Sequence, residues 1–193
     1  MSIQAYLRQS TGDFPLPNVQ GVAGSWMDLC TLTLQHGRLW AGDPWLANDD
    51  DGVVFNVKSG MYIVQVMGMD FEGHRRIARV RIFDQTAWDF ESQPTQVTVK
   101  DEMGFLGICD LTAMNHAVEP DHYEDFTEDL DKVIDEDAVE CIDFAYAGRH
   151  FEMVMLPAGL GDGEYDVFQL MAHGKVVGME IEFLPYDFMV RSQ

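Results

Sequence analysis

The sequence predicts a mainly β fold, a β-sandwich or strongly curved antiparallel sheet, with one acidic helical insert. Three observations lead there. Short segments of alternating apolar and polar residues recur along the chain, and Gly-containing turns separate them. A single stretch, residues 119–143, breaks this pattern with helical spacing and dense negative charge.

Taken in order, residues 1–24, with Pro15, Pro17 and several glycines, read as a peripheral N-terminal arm. Residues 26–34 alternate as a strand, and His36-Gly37-Arg38 turns the chain. Pro44 biases Asp43 towards an extended or turn conformation. Residues 48–52, Asn-Asp-Asp-Asp-Gly, form a polar turn. Residues 53–83 read as a β-meander, with Tyr62, Val64 and Val66 on one face of its middle strand. In its last strand Ala78, Val80 and Ile82 lie opposite Arg79 and Arg81, the alternation of a half-solvated antiparallel strand.

Strands follow at 96–100 and 104–110. In residues 119–143, Phe126, Leu130, Val133 and Ile134 recur at helical spacing, which predicts one amphipathic helix. Residues 150–155 resume alternation, Asp162-Gly163 signals a hairpin, and residues 164–172 and 175–184 form a last pair joined at His173-Gly174. About eight strands and one helical insert make a single domain over residues 1–193. The pattern excludes a βαβ organisation.

Composition bounds the function. An apolar fraction of 47% over 193 residues supports a real core. Thirty-three carboxylates face 12 Lys and Arg, for a formal charge of −21. Such a surface repels nucleic acid and anionic membranes and attracts basic proteins and cations. The odd number and wide spacing of Cys30, Cys109 and Cys141 argue against a disulfide framework or a structural zinc site. They read as reduced, partly buried thiols. With no apolar leader in MSIQAYLRQS, this predicts a cytoplasmic location.

Several phrases in order resemble a bacterial family of uncharacterised β-rich proteins, a domain of unknown function. They are GRLWAGDPW (37–45), VKSGMYIV (57–64), RRIARVRI (75–82), GFLGICD (104–110) and GLGDGEYDVFQLMAHGKVVGMEIEF (159–183). The marks are a G-D-P turn, an S-G-x-Y strand start and a C-terminal G-D-G-x-Y hairpin. The resemblance covers residues 36–185. It implies a β-rich fold and carries no catalytic residues with it. Proteins of this sort are similar in size and acidity to the immunity proteins that accompany bacterial toxins.

Candidate chemistry is sparse. The motifs of zincins, nucleophile elbows and phosphate loops are missing. Asp49-Asp50-Asp51 could offer oxygen ligands to Ca²⁺ but lacks EF-hand spacing. Asp162, Glu164 and Asp166 would share one strand face, as metal ligands or as the wet side of a hairpin. His116 and His122, set among acids, could form a carboxylate–histidine metal site, and a surface loop is the simpler reading. Cys109 reads as a packed thiol. Arg75, Arg76, Arg79 and Arg81 either make an anion site or pair internally with the acids of the insert. Trp40, Trp45 and Trp88 read as core or interface anchors.

No catalytic residue, cofactor or metal is assigned from the sequence. The reading that follows is a non-enzymatic acidic binding protein, of bacterial immunity or antitoxin type, that neutralises a basic toxin or other basic partner. Glu124, Asp125, Glu128, Asp129, Asp131, Asp135, Glu136 and Asp137 would make the contact. Two alternatives stand beside it: a metal-assisted enzyme using acids around Asp43, Asp110 and Asp162, and a structural module that associates with itself.

Overall fold

The computed structural model describes Leu7 and residues 21–47, 52–135, 139–146, 149–159, 161–184 and 189–190. The fold is mainly β. Its strands are β1 (Gly21–Leu34), β2 (Arg38–Gly42), β3 (Val53–Asn56), β4 (Gly60–Phe71), β5 (His74–Asp84), β6 (Glu91–Asp101), β7 (Phe105–Asp110), β8 (Glu140–Tyr146), β9 (Arg149–Pro157), β10 (Gly163–Ala172), β11 (Lys175–Glu182) and β12 (Met189–Val190). Two helices, α1 (Leu111–Ala117) and α2 (Tyr123–Asp135), lie between β7 and β8.

The strands make two sheets. The larger runs β12-β1-β4-β5-β11-β10-β6 and the smaller β3-β2-β7-β9-β8. All pairings are antiparallel except the short contact of β1 with β12. One core joins the inner faces of both sheets. Tyr62, Val64, Val66, Val80 and Ile82 of the large sheet share it with Leu39, Ala41, Leu106, Ile108, Val154 and Leu156 of the small one. The predicted face of β4 is the one that is buried. Glu72-Gly73 and His173-Gly174 are two-residue hairpin turns with positive φ at both positions, the geometry that matches strand twist. Gly178 is required for a different reason. A Cβ there would run into the carbonyl oxygen of Ile82 on β5.

Four expectations change. The meander over 53–83 reduces to the β4–β5 hairpin, because β3 pairs with β2 in the small sheet. The Asp162-Gly163 turn is not a hairpin: β9 lies in the small sheet and β10 in the large, so the turn carries the chain between layers. The peripheral arm ends earlier than residue 24, since β1 begins at Gly21. The acidic run 119–143 holds one helix, α2, as expected, but it ends sooner, since β8 begins at Glu140, and an unpredicted short helix, α1, precedes it.

The arginine-bearing face of β5 is also not half-solvated. Arg79 is buried and reaches Glu180 at 2.7 Å and Glu182 at 2.5 Å on β11. Arg75 pairs with Asp70 at 2.9 Å, and the Arg81 guanidinium lies 4.1 Å over the Trp26 ring. The internal pairing expected of these arginines is present, but on neighbouring strands and not across the fold to the insert. The register explains it: Arg79 and Arg81 stand directly opposite Glu182 and Glu180.

A second apolar cluster covers the outer face of the small sheet. Met114 and Ala117 of α1 and Phe126 and Leu130 of α2 pack on Cys109, Phe144, Phe151, Met153 and Met155. The small sheet is thus buried on both sides, which is why every residue of β7 is buried. Trp40 belongs to this layer, Trp45 packs against it, and Trp88 is 72% exposed.

The cysteine reading is overturned. Cys30 on β1 and Cys141 on β8 form a disulfide across 111 positions, with Cα atoms 6.7 Å apart. Sequence spacing could not reveal it, because the pair joins an inner strand of one sheet to the edge of the other. Cys109 alone keeps the predicted state, a buried free thiol. We expect reduction, or Cys30→Ser with Cys141→Ser, to lower stability by about 2–4 kcal/mol, since the bond closes a long loop in the unfolded chain. Urea denaturation with and without reductant measures this.

Candidate functional site

A cleft of about 670 Å³ opens where the end of β1, the start of α1 and the β8–β9 pair meet. β1 and the turn after it supply Thr33, Gln35 and His36. The β7–α1 junction supplies Asp110, Thr112, Ala113 and His116, and β8 and β9 supply Asp143 and residues 149–152.

Asp110 organises one wall. It is the N-cap of α1, where a short carboxylate satisfies backbone N–H groups that a helix start leaves open. Its Oδ1 accepts from the Thr112 N–H at 2.9 Å and its Oδ2 from the His36 N–H at 2.8 Å. The helix is thereby tied to the turn after β1, and the His36 ring sits 3.8 Å from the same carboxylate. On the opposite wall Glu152 accepts the Thr33 N–H at 2.7 Å, and His150 lies 3.7 Å from Asp143. The Cys30–Cys141 bond lies close in sequence to both walls, three residues before Thr33 and two before Asp143.

The α1–α2 joint lies at one end of this cleft, and His116 belongs to both. The surface-loop reading of His116 and His122 is overturned for His116, which is buried at the end of α1. The two rings stand edge-to-face with centroids 4.8 Å apart, and His116 Nδ1 is 3.2 Å from Glu119 Oε1. The ligand atoms of His116, Glu119 and His122 all lie within 4.8 Å of one another. Glu119 was missed by sequence reading. The signal available was the spacing His-x-x-Glu-x-x-His over residues 116–122.

Of the carboxylates proposed for metal-assisted catalysis, Asp43 and Asp110 do not converge. Asp43 and Asp110 stand at opposite ends of the β2–β7 pair, four residues or roughly 13 Å apart along the strand. Both are committed to backbone N–H groups. Asp43 is buried and accepts from Trp45 at 2.9 Å, Glu102 at 3.0 Å and Met103 at 3.1 Å. Asp162 is exposed, and Glu164 and Asp166 take the wet face of β10 while Tyr165 and Val167 turn inward. Burial, and next the charge of Asp110, push the Cys109 thiol up, away from a reactive thiolate. Residues 48–51, with the aspartates weighed for Ca²⁺, lie outside the described residues.

Sequence reasoning also missed Asp101. It is buried, and its Oδ1 accepts from Met103, Gly104 and Phe105 at 2.9–3.2 Å, sharing the Met103 N–H with Asp43. Its other oxygen is buried with no hydrogen-bond partner among the described residues. Burial, and next the charge of Asp43, push its carboxyl up to about 6.

Of the residues assigned to partner contact, α2 carries Glu124, Asp125, Glu128, Asp129, Asp131 and Asp135. Glu124, Asp125, Glu128 and Asp131 are exposed. Asp129 is half-buried and holds Lys132 at 2.7 Å. Asp129 and the carboxylates around it hold the Lys132 ammonium above its usual range. Trp45 Nε1 donates to Asp131 at 3.4 Å, a long bond from the β2 loop to the helix. The side chain of Asp135 is outside the described residues, as are Glu136 and Asp137. No helix among the described residues is long and apolar enough to cross a membrane.

No family model, no curated protein and no solved structure matches this chain.

The raised Asp101 carboxyl makes a signed prediction. The folded state holds this proton more tightly than an unfolded aspartate near 3.8, so the group's contribution to stability falls as pH rises from about 4 to about 6. Asp101→Asn keeps the accepting oxygen and removes the charge. We expect the variant to be more stable than the parent at pH 7, by on the order of 2 kcal/mol, and the gap to close near pH 4. Urea titrations of both proteins at the two pH values decide it.

Proposed function

We propose that the chain is an acidic binding protein that performs no bond chemistry and recognises a basic protein surface. Neutralisation of a basic toxin, in the manner of bacterial immunity and antitoxin proteins, is its most concrete form. The observation that carries this reading is the seating of α2. Phe126 and Leu130 are fully buried against the small sheet, while Glu124, Asp125, Glu128 and Asp131 project to solvent from the same helix. Glu124, Glu128 and Asp131 follow the i, i+4, i+7 spacing of one helical face. Carboxylates held on a packed helix need little further ordering on binding, which lowers the entropic cost of association.

Electrostatics adds rate and selectivity. A net charge of −21 makes a far-reaching field, and that field steers a basic partner and turns away acidic ones. The self-associating alternative gains nothing at β6. This edge strand carries Pro94 and several charges, features that discourage edge-to-edge pairing. The enzyme alternative loses two of its three named carboxylates, since Asp43 and Asp110 are spent on backbone groups.

The proposal of a cytoplasmic location loses its support from reduced thiols. Disulfides persist in oxidising compartments and are rare in the cytosol. The Cys30–Cys141 bond therefore favours a protein that works in, or passes through, an oxidising setting.

Two variants test recognition by α2. Replacing Glu124, Asp125, Glu128 and Asp131 together by Lys should leave the fold intact, because all four are exposed. An affinity capture from the native host should retain a basic protein on the parent, released by salt, and at least tenfold less of it on the variant. Equal retention on both would remove α2 from the interface. As a second check, Phe126→Ala should cost about 3–5 kcal/mol of stability and weaken capture through loss of the seat alone.

A further inference from the structure

We propose that His116, Glu119 and His122 form a binding site for a zinc-class divalent ion at the joint between α1 and α2, independently of what α2 binds. The backbone brings the three together. Pro120 has no N–H to continue the α-helical ladder to the His116 carbonyl, and that carbonyl accepts from Glu119 at 3.3 Å instead. The Glu119 carbonyl in turn accepts from His122 at 2.9 Å and from Tyr123, at the start of α2, at 3.0 Å. These are two successive i to i+3 turns, with three residues to each. Turns of this length bring residues 116, 119 and 122 round to one side of the joint, where their ligand atoms lie within 4.8 Å of one another.

The ligand set suits the ion. Two imidazoles and a carboxylate are ligands of zinc sites that leave a fourth position for water or another ligand. Ligand atoms about 2.1 Å from a tetrahedral ion stand about 3.4 Å apart. His116 Nδ1 and Glu119 Oε1 already meet that spacing at 3.2 Å. The widest separation in the group, 4.8 Å, has to close by about 1.4 Å on the same reckoning, which side-chain rotation of Glu119 and His122 can supply. Glu119 is exposed and His122 half-buried, so both can move, while buried His116 supplies a fixed anchor. Asp121, Glu124 and Asp125 follow within a few residues, and their charge favours a cation at this joint. Magnesium fits poorly, since it prefers an octahedron of oxygen ligands.

The experiment uses the full chain after chelator treatment, titrated with Zn²⁺, Co²⁺ and Mg²⁺. His116 packs in the core and its loss endangers the fold, so the variants are Glu119→Gln and His122→Gln, with His150→Gln as a control in the cleft. The parent should bind one equivalent of Zn²⁺, its Tm should rise with Zn²⁺, and Co²⁺ should take up the visible spectrum of a tetrahedral nitrogen–oxygen site. Both joint variants should bind at least tenfold more weakly with unchanged circular dichroism, and His150→Gln should bind as the parent does. Failure to reach one equivalent overturns the proposal. So does uptake that Mg²⁺ displaces at equal concentration or that survives both joint variants, because either assigns the ions to the acidic surface at large. Loss of binding in His150→Gln equal to that in the joint variants overturns it as well, by moving the site into the cleft.

Discussion

The small sheet has to be covered on both faces, and most of what is distinctive in this protein depends on that constraint. Its inner face meets the large sheet in a shared core, and its outer face carries Phe144, Phe151, Met153 and Met155. That outer face is too apolar to stand in water. The chain between β7 and β8 folds over it, with Phe126 and Leu130 as the principal inserts, and each such side chain contributes roughly 2–3 kcal/mol when fully buried. The acidic insert is thus no free appendage. Its apolar positions bind it to the fold, and its carboxylates are left outward because that is the only face remaining.

Burial also sorts the carboxylates into two populations. The exposed ones on α2 make a charged surface. Asp43, Asp101 and Asp110 are buried at strand ends, where they accept hydrogen bonds from backbone N–H groups that neither sheet can satisfy. Ionised acceptors make stronger bonds to such groups than neutral ones do, which suits aspartate to turns that must hold one shape. The cost appears where two of them meet. Asp43 and Asp101 share a donor, and burial, with the charge of Asp43 next, raises the Asp101 carboxyl.

The cleft and the disulfide belong to the same seam. β1 is in the large sheet and β8 and β9 are in the small one, so their meeting has no continuous ladder of hydrogen bonds to hold it. The Thr33–Glu152 hydrogen bond and the Cys30–Cys141 bond cross that gap. Histidines and carboxylates from four separate stretches of chain gather along it, with the joint between the helices at one end.

Alternation and turn chemistry were enough to show a β-rich fold, the buried face of β4, the tight turn at His173-Gly174, and the helix seated by Phe126 and Leu130. These are local properties, set by the side-chain period and by backbone conformations only certain residues tolerate. Sequence also established the net charge and the acidic run. The tertiary structure alone decided which sheet each strand joined, so β3 left its expected meander and Asp162-Gly163 became a link between layers. It decided that Cys30 meets Cys141 and that Asp43, Asp101 and Asp110 serve backbone groups. It also made a lined cleft of residues as far apart as Thr33 and Glu152. The reason is physical: strand pairing and sheet packing are contacts between distant segments, chosen by how all the apolar faces can be covered at once, and no single segment carries that information. The triad at the helix joint lies between these cases, with its spacing written in seven consecutive residues and its convergence dependent on the turns that Pro120 forces.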